Sequence, residues 1–238
     1  MLRTPLIAAN WKMNMPPKGF DAKDSPYQPY KDVDVVVFPA FLDLQQCVDA
    51  ELNVGAQYGH PEKQGAYTGD VSMAMIREVG CEYVLCGHSE RRRDHRETDV
   101  MVHAQVEAAL AAGLIPIVCV GETEEERSAG AEQDVVRRQL EGLPKGIVIA
   151  YEPVWAISGG DPTKPSATPD DAQKMHAYIR SLRSDGEKVR ILYGGSMNAK
   201  NCQELLACPD IDGGLIGGAS LKPAEFRAIV DAAAGKAR

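Results

Sequence analysis

Nothing in the 238 residues looks like a linker: the middle of the chain has no Pro/Ser-rich tract and no block of like charge. One domain spanning residues 1–238 is therefore expected. The six cysteines (47, 81, 86, 119, 202 and 208) show no C-x-x-C spacing and have no companion histidines at zinc-finger intervals. They lie in or beside apolar runs and read as reduced, mostly core residues. Basic residues are not in excess, 26 against 34 acidic, and the net charge of -8 gives no general attraction for nucleic acid or an anionic membrane. An anionic substrate would need a locally positive site. No apolar run approaches membrane-spanning length, and the opening MLRTPLIAANWKMN has only four apolar residues in a row before Asn10. That is too short for a signal peptide, so a cytoplasmic protein is expected.

What is present is material for a core: 44% hydrophobic residues with an ordinary charged fraction of 25%. Short β-branched runs recur, at residues 6–14, 33–38, 54–57, 83–87, 114–120, 147–152, 189–193 and 213–216. Helical spacing or helix-forming composition lies between most of them, at 42–50, 71–79, 98–112, 124–140, 168–184 and 199–206, with a last helix starting at Pro223. Thr168 is an expected N-cap, with Pro169 at the first helical position. Residues 15–32 are the exception. Pro16, Pro17, Pro26, Pro29 and Gly19 largely forbid the first crossover helix, so an irregular connection is expected, with Phe20, Tyr27 and Tyr30 packing in its place. Eight strands without a hairpin signal, each ending in a polar or Gly-rich turn, point to an α/β fold closed as a parallel (β/α)8 barrel. A doubly wound open sheet is the alternative.

The chemistry-bearing residues gather at those strand ends. Ile147, Val148 and Ile149 read as a strand buried on both faces that delivers Glu152, a carboxylate costly to desolvate. Taken alone, Glu152 is equally a solvated strand end. A two-residue period puts Asn10 and Lys12 on one face of the first strand, with Trp11 on the other. His88 and Glu90 follow the fourth strand, and Gly194-Gly195-Ser196 and Gly217-Gly218 follow the seventh and eighth. Glycine lets backbone N–H groups approach a phosphate closely, although either pair alone reads as a tight turn. Glu90, read from its neighbours alone, is a candidate for a salt bridge to Arg91 or Arg92. Cys119 reads as buried and inert.

The segments AANWKMN, QGAYTGDVS, CGHSERR, YEPVWAI, ILYGGS and LIGGASLKP, in this order, resemble the triosephosphate isomerase family from the first strand to the last helix. The resemblance implies interconversion of dihydroxyacetone phosphate and glyceraldehyde 3-phosphate. It implies Glu152 as base, His88 as electrophile, Lys12 and Asn10 beside the substrate oxygens, and Glu90 in positioning or relay. It further implies phosphate contacts from Ser158, Ser196, Gly217 and Gly218, and a lid hinged at Pro153, Val154 and Trp155. A homodimer follows, in which Tyr67 and Thr68 sit beside a partner's site; no metal, nucleotide or flavin does. The chain departs from the pattern after Ile157, where SGGDPTKPSATP is about four residues longer than the usual tip. Ser158, Asp70, His95 and Arg96 replace an expected glycine, glutamate, aromatic and glycine. Two other functions stay open at this point: a phosphosugar-binding relative impaired in turnover by its altered lid, and another phosphosugar enzyme on the same barrel.

Overall fold

The computed structural model describes residues 3–157 and 166–236. Among them eight parallel strands run as β1 (Leu6–Asn10), β2 (Asp34–Phe38), β3 (Gly55–Ala56), β4 (Tyr83–Cys86), β5 (Ile115–Val120), β6 (Val148–Tyr151), β7 (Ile191–Tyr193) and β8 (Gly213–Ile216). Their order is β2-β1-β8-β7-β6-β5-β4-β3, and a parallel bridge between Val37 and Val54 joins the two outer strands. The sheet thus comes round on itself as a (β/α)8 barrel, and the open doubly wound alternative falls away.

Side-chain alternation divides the core in two. Leu6, Phe38, Leu85, Cys119, Leu192 and Leu215 belong to a cluster that fills the barrel, while Ile7, Val35, Val118, Ile149 and Ile191 pack outward against the helices. The inward rows set the site. Asn10 continues the row of Leu6 and Ala8, and Glu152 continues that of Val148 and Ala150, so both emerge at the C-terminal mouth.

Residues 15–32 contain no helix. They form successive turns, with N–H bonds from Phe20 to Pro17, Ala22 to Gly19 and Ser25 to Ala22. The aromatic packing expected there is present. Tyr27 is fully buried, stacked on Phe226 with centroids 5.0 Å apart and edge-on to Trp11 at 5.3 Å, and Phe20 meets Trp11 edge-on at 5.9 Å.

The connections are α1 (Leu44–Asp49), α2 (Met73–Val79), α3 (Ser89–Asp94), α4 (Asp99–Ala111), α5 (Glu124–Ser128), α6 (Glu132–Leu140), α7 (Pro169–Leu182), α8 (Cys202–Ala207) and α9 (Pro223–Lys236). Thr168 caps α7 as expected, accepting from the Asp171 N–H at 3.1 Å. Three expectations need correction. The first strand stops at Asn10 rather than running to Asn14, because Lys12 takes a left-handed φ of 52° that no strand accommodates. The helix expected over 124–140 is two, separated where Gly130 turns left-handed at φ 69°. The short helix α3, directly after His88, has no counterpart among the expected elements.

Candidate active site

Glu152 and His88, only 2% and 6% exposed, face each other across the barrel mouth. His88 Nε2 lies 3.0 Å from Glu152 Oε1, and the Ser89 N–H donates to Glu152 Oε2 at 2.8 Å. His88 is also the N-cap of α3: its Nδ1 accepts from the Glu90 N–H at 3.2 Å. That bond fixes the tautomer, leaving the proton on Nε2, where it points at the carboxylate.

The electrostatics of the pair are opposed. Burial works to raise the Glu152 pKa, but the His88 contact, the Ser89 N–H and the Lys12 charge outweigh it and hold the carboxyl below its ordinary value. Burial likewise works to lower His88, and the Glu152 carboxylate overcomes it, lifting the imidazole while the two are docked. The lift depends on the docking. A second proton on Nδ1 would set N–H against the Glu90 N–H, so once Glu152 moves off, the neutral imidazole is the form that suits this helix start.

Lys12 reaches the same mouth by a route that strand alternation does not describe. Its left-handed backbone is held by its own N–H donating to Asn10 Oδ1 at 3.0 Å and by Gln57 Nε2 donating to its carbonyl at 2.8 Å. The ammonium then pairs with Glu90 Oε1 at 2.7 Å. Glu90 is thus Lys12's partner, and its other oxygen lies 3.7 Å from His88 Nδ1, while Arg91 pairs with Glu97 and Arg92 with Asp99. The salt bridge expected from Glu90 to Arg91 or Arg92 is therefore replaced by one to Lys12.

The glycine turns divide their work. A Cβ on Gly217 would sit 3.2 Å from Lys12 Cε, whereas one on Gly218 would meet nothing within 4 Å. Gly217 therefore stands beside the lysine, and Gly218 faces open space at the start of a 3-10 turn (Gly218–Leu221), whose first N–H groups have no partner within the turn. Gly194 serves another purpose: its N–H donates to the Tyr151 carbonyl at 2.7 Å, and a Cβ there would lie 2.7 Å from Glu152 Cγ. It makes room for the carboxylate. Ser196 Oγ donates to the Ala156 carbonyl at 3.1 Å, tying the seventh-strand turn to the segment after Glu152. Ser158 lies outside the described residues.

Pro153 leads into a 3-10 turn over Val154–Ala156. The indole of Trp155 donates to Glu122 Oε1 at 2.7 Å, and the Tyr151 hydroxyl also reaches Glu122, which is fully buried. Burial raises the Glu122 pKa against these donors. Sequence reasoning gives Glu122, Ser89 and Gln57 no role. Cys119 is buried, and burial followed by the Glu152 charge pushes its thiol well up, which disfavours the reactive thiolate. Among the described residues no group of His, Cys, Asp and Glu could hold a metal ion, and no helix is long and apolar enough to cross a membrane.

Tyr67 and Thr68 lie on the exposed loop 61–70. Tyr67 packs on His60 at 4.3 Å between centroids, and Asp70 stands 3.9 Å from His60 Nε2, within its own loop. Arg96 adopts the left-handed φ of 57° at the position where the resemblance expects glycine.

Fold and mouth together define a (β/α)8 barrel of the enzyme-bearing class, with a buried carboxylate, an imidazole and a lysine gathered at the C-terminal mouth. The sequence matches the family model described as triosephosphate isomerase over residues 5–233. It is 44% identical to the triosephosphate isomerase of Afipia carboxidovorans, covering 96% of this chain and 97% of that one. To those of Carboxydothermus hydrogenoformans (96% and 98% covered) and Paracidovorax citrulli (98% and 100%) it is 46% identical. The chain belongs to the triosephosphate isomerase family.

Proposed function

We propose that this chain interconverts dihydroxyacetone phosphate and D-glyceraldehyde 3-phosphate through an enediolate, in glycolysis and gluconeogenesis, as one cytoplasmic barrel domain spanning residues 1–238. The observation that carries the reading is the Glu152–His88 pair: a buried base and a proton donor of fixed tautomer, 3.0 Å apart, beside a lysine. Glu152 takes the proton from one substrate carbon and returns it to the next, moving off His88 to do so. The freed His88 Nε2–H donates to the oxygen that gains charge, and a neutral imidazole can give and retrieve that proton with little change in driving force. Triosephosphate isomerase is itself a standard example of a carboxylate base paired with a neutral imidazole, and the roles given to Glu152 and His88 follow that example. Asn10 and Lys12 face the substrate oxygens and phosphate, Glu90 positions Lys12, and backbone N–H groups of Ser196, Gly217 and Gly218 receive the phosphate.

Glu152→Asp tests the assignment. Retracting the carboxylate by one carbon–carbon bond, about 1.5 Å, should lower kcat by about a hundredfold or more, while inhibition by inorganic phosphate persists. A coupled assay of glyceraldehyde 3-phosphate isomerisation reads both. A variant as fast as wild type would remove Glu152 from its role, and an inactive wild type would remove the reaction.

The reading includes a homodimer. A cavity of about 430 Å³ lined by Lys12, Met13, Asn14, Glu90 and His95 opens beside the site. Met13 is 95% exposed and Met15 74%, while Tyr67 stands on a projecting loop. A second copy's loop in that cavity would cover Met13. Light scattering at micromolar concentration should give twice the 25.8 kDa chain mass; a 25.8 kDa particle would refute it.

A further inference from the structure

Arg127, on α5, touches neither the base nor the phosphate turns, yet it meets both flanks of the stretch that follows Glu152. Its guanidinium carbon lies 4.1 Å from the centre of the Trp155 ring. Nη1 stands 3.6 Å from Glu122 Oε1, the oxygen that accepts from the Trp155 indole, and Nη2 stands 3.8 Å from Asp171 Oδ1 in the first turn of α7. One cation thus covers the buried Glu122 carboxylate, the indole face and the start of the next helix. We propose that Arg127 is a positioning residue that stabilises this placement of Pro153-Val154-Trp155, and through it the docking of Glu152 on His88.

Glu152 in this arrangement is engaged by His88 and Ser89, so it must leave them to reach a substrate carbon. Trp155 follows it by three residues, through a proline and a 3-10 turn, so contacts on the indole bear on the placement of the carboxylate. Ser196 joins the far end of that turn to a phosphate-binding position by its bond to Ala156. Contacts that hold Trp155 in place therefore oppose the arrangement that a bound phosphate favours, and weakening them raises the population ready to bind.

The inference rests on the isomerase reading for its kinetic form only. Arg127→Met keeps the aliphatic stem but removes the charge and the ring contact; Arg127→Lys keeps charge towards Glu122 and Asp171 without the planar stack. For each variant and wild type, kcat, KM and the inhibition constant of inorganic phosphate are measured, with phosphate affinity by calorimetry. Arg127→Met should lower KM and the phosphate constant together by about two- to fivefold, the range set by one exposed cation–π contact. Arg127→Lys should shift them less. Unchanged or raised values, including values unchanged beside a lowered melting temperature, would overturn the proposal and leave Arg127 a structural residue. If wild type fails to turn over, the isomerase reading fails while the calorimetric comparison still decides this one.

Discussion

Gly121 offers a test of how tightly the fold holds Glu152, the proposed base, because it abuts the backbone of Glu152 and none of the proposed phosphate turns. It ends the inward row of Ile117 and Cys119 on β5 and faces the backbone of Glu152 on the neighbouring strand end. A Cβ built there overlaps the Glu152 carbonyl oxygen and lies 2.6 Å from the carbonyl carbon and 3.3 Å from Cα. Gly121 cannot retreat easily. Its N–H donates to Gln139 Oε1 at 2.8 Å and its carbonyl accepts from Gln139 Nε2 at 3.2 Å, so the strain falls on Glu152, whose N–H is bonded to the Val120 carbonyl at 2.7 Å. Restoring an ordinary contact of about 3.5 Å to the carbonyl carbon needs a displacement of about 1 Å, and clearing the oxygen needs more, so about 1 Å is the least the backbone must move. A base misplaced by that distance costs about a hundredfold in rate, about 2.7 kcal/mol of barrier. Gly121→Ala should therefore lose about two orders of magnitude in kcat in the coupled assay, with phosphate inhibition largely kept because Gly217, Gly218 and Lys12 are untouched. Gly235→Ala, where a Cβ meets nothing within 4 Å, serves as the control. Wild-type kcat in a folded Gly121→Ala protein, judged by circular dichroism, would refute the reasoning.

Two further outcomes concern stability. His176 is fully buried; burial lowers its pKa from 6.5 to about 4, with Nδ1 3.3 Å from the Asp210 carbonyl and Nε2 without a partner among the described residues. A depressed histidine contributes stability above its unfolded pKa, and that contribution is lost as pH falls from 6.5 towards 4, at about 1.4 kcal/mol per pH unit. Urea unfolding at pH 7 and pH 5 should differ by about 2 kcal/mol more in wild type than in His176→Gln, and equal differences would contradict it. At Arg96, glycine should relieve a left-handed backbone worth about 1 kcal/mol, partly offset by added freedom in the unfolded chain. Thermal melting of Arg96→Gly should show a gain of up to a few degrees, and a lowered midpoint would show that the Arg96 side chain holds the loop.

Periodicity reveals what depends on local chemistry. The strand rows that carry Asn10 and Glu152 to the mouth follow from β-branched runs ending in polar residues, and the missing crossover helix follows from four prolines. Strand alternation brings Lys12 to the mouth for a partly mistaken reason. Lysine carries no signal for a left-handed backbone, and the bonds that impose one come from Asn10 and from Gln57, 45 positions away. The helix after His88 is hidden because its six residues, SERRRD, offer charges and no apolar face to count. Gly130 lies inside a Glu- and Arg-rich run whose helix propensity masks a single glycine until the turn is seen. Gly194, which the sequence presents as part of a phosphate turn, clears space for the base, and that role depends on a neighbouring strand.

The irregular first crossover bears on the site as well as on the barrel wall. A crossover helix would cover β1 and β2 with an apolar stripe; here Tyr27 does so as a single deep anchor between Trp11 and Phe226. Its hydroxyl donates to the Ser220 carbonyl at 2.6 Å, and Ser220 Oγ donates to the Gly217 carbonyl at 2.7 Å while lying 3.4 Å from the Asn10 carbonyl. The residue that plugs the gap thus braces the turn beside Lys12 and the end of the strand carrying Asn10. The missing helix costs the chain local regularity, but the aromatic plug restores burial behind the Gly217 turn. Tolerance for an irregular crossover is then a matter of where its one buried tyrosine lands, not of how much helix it retains.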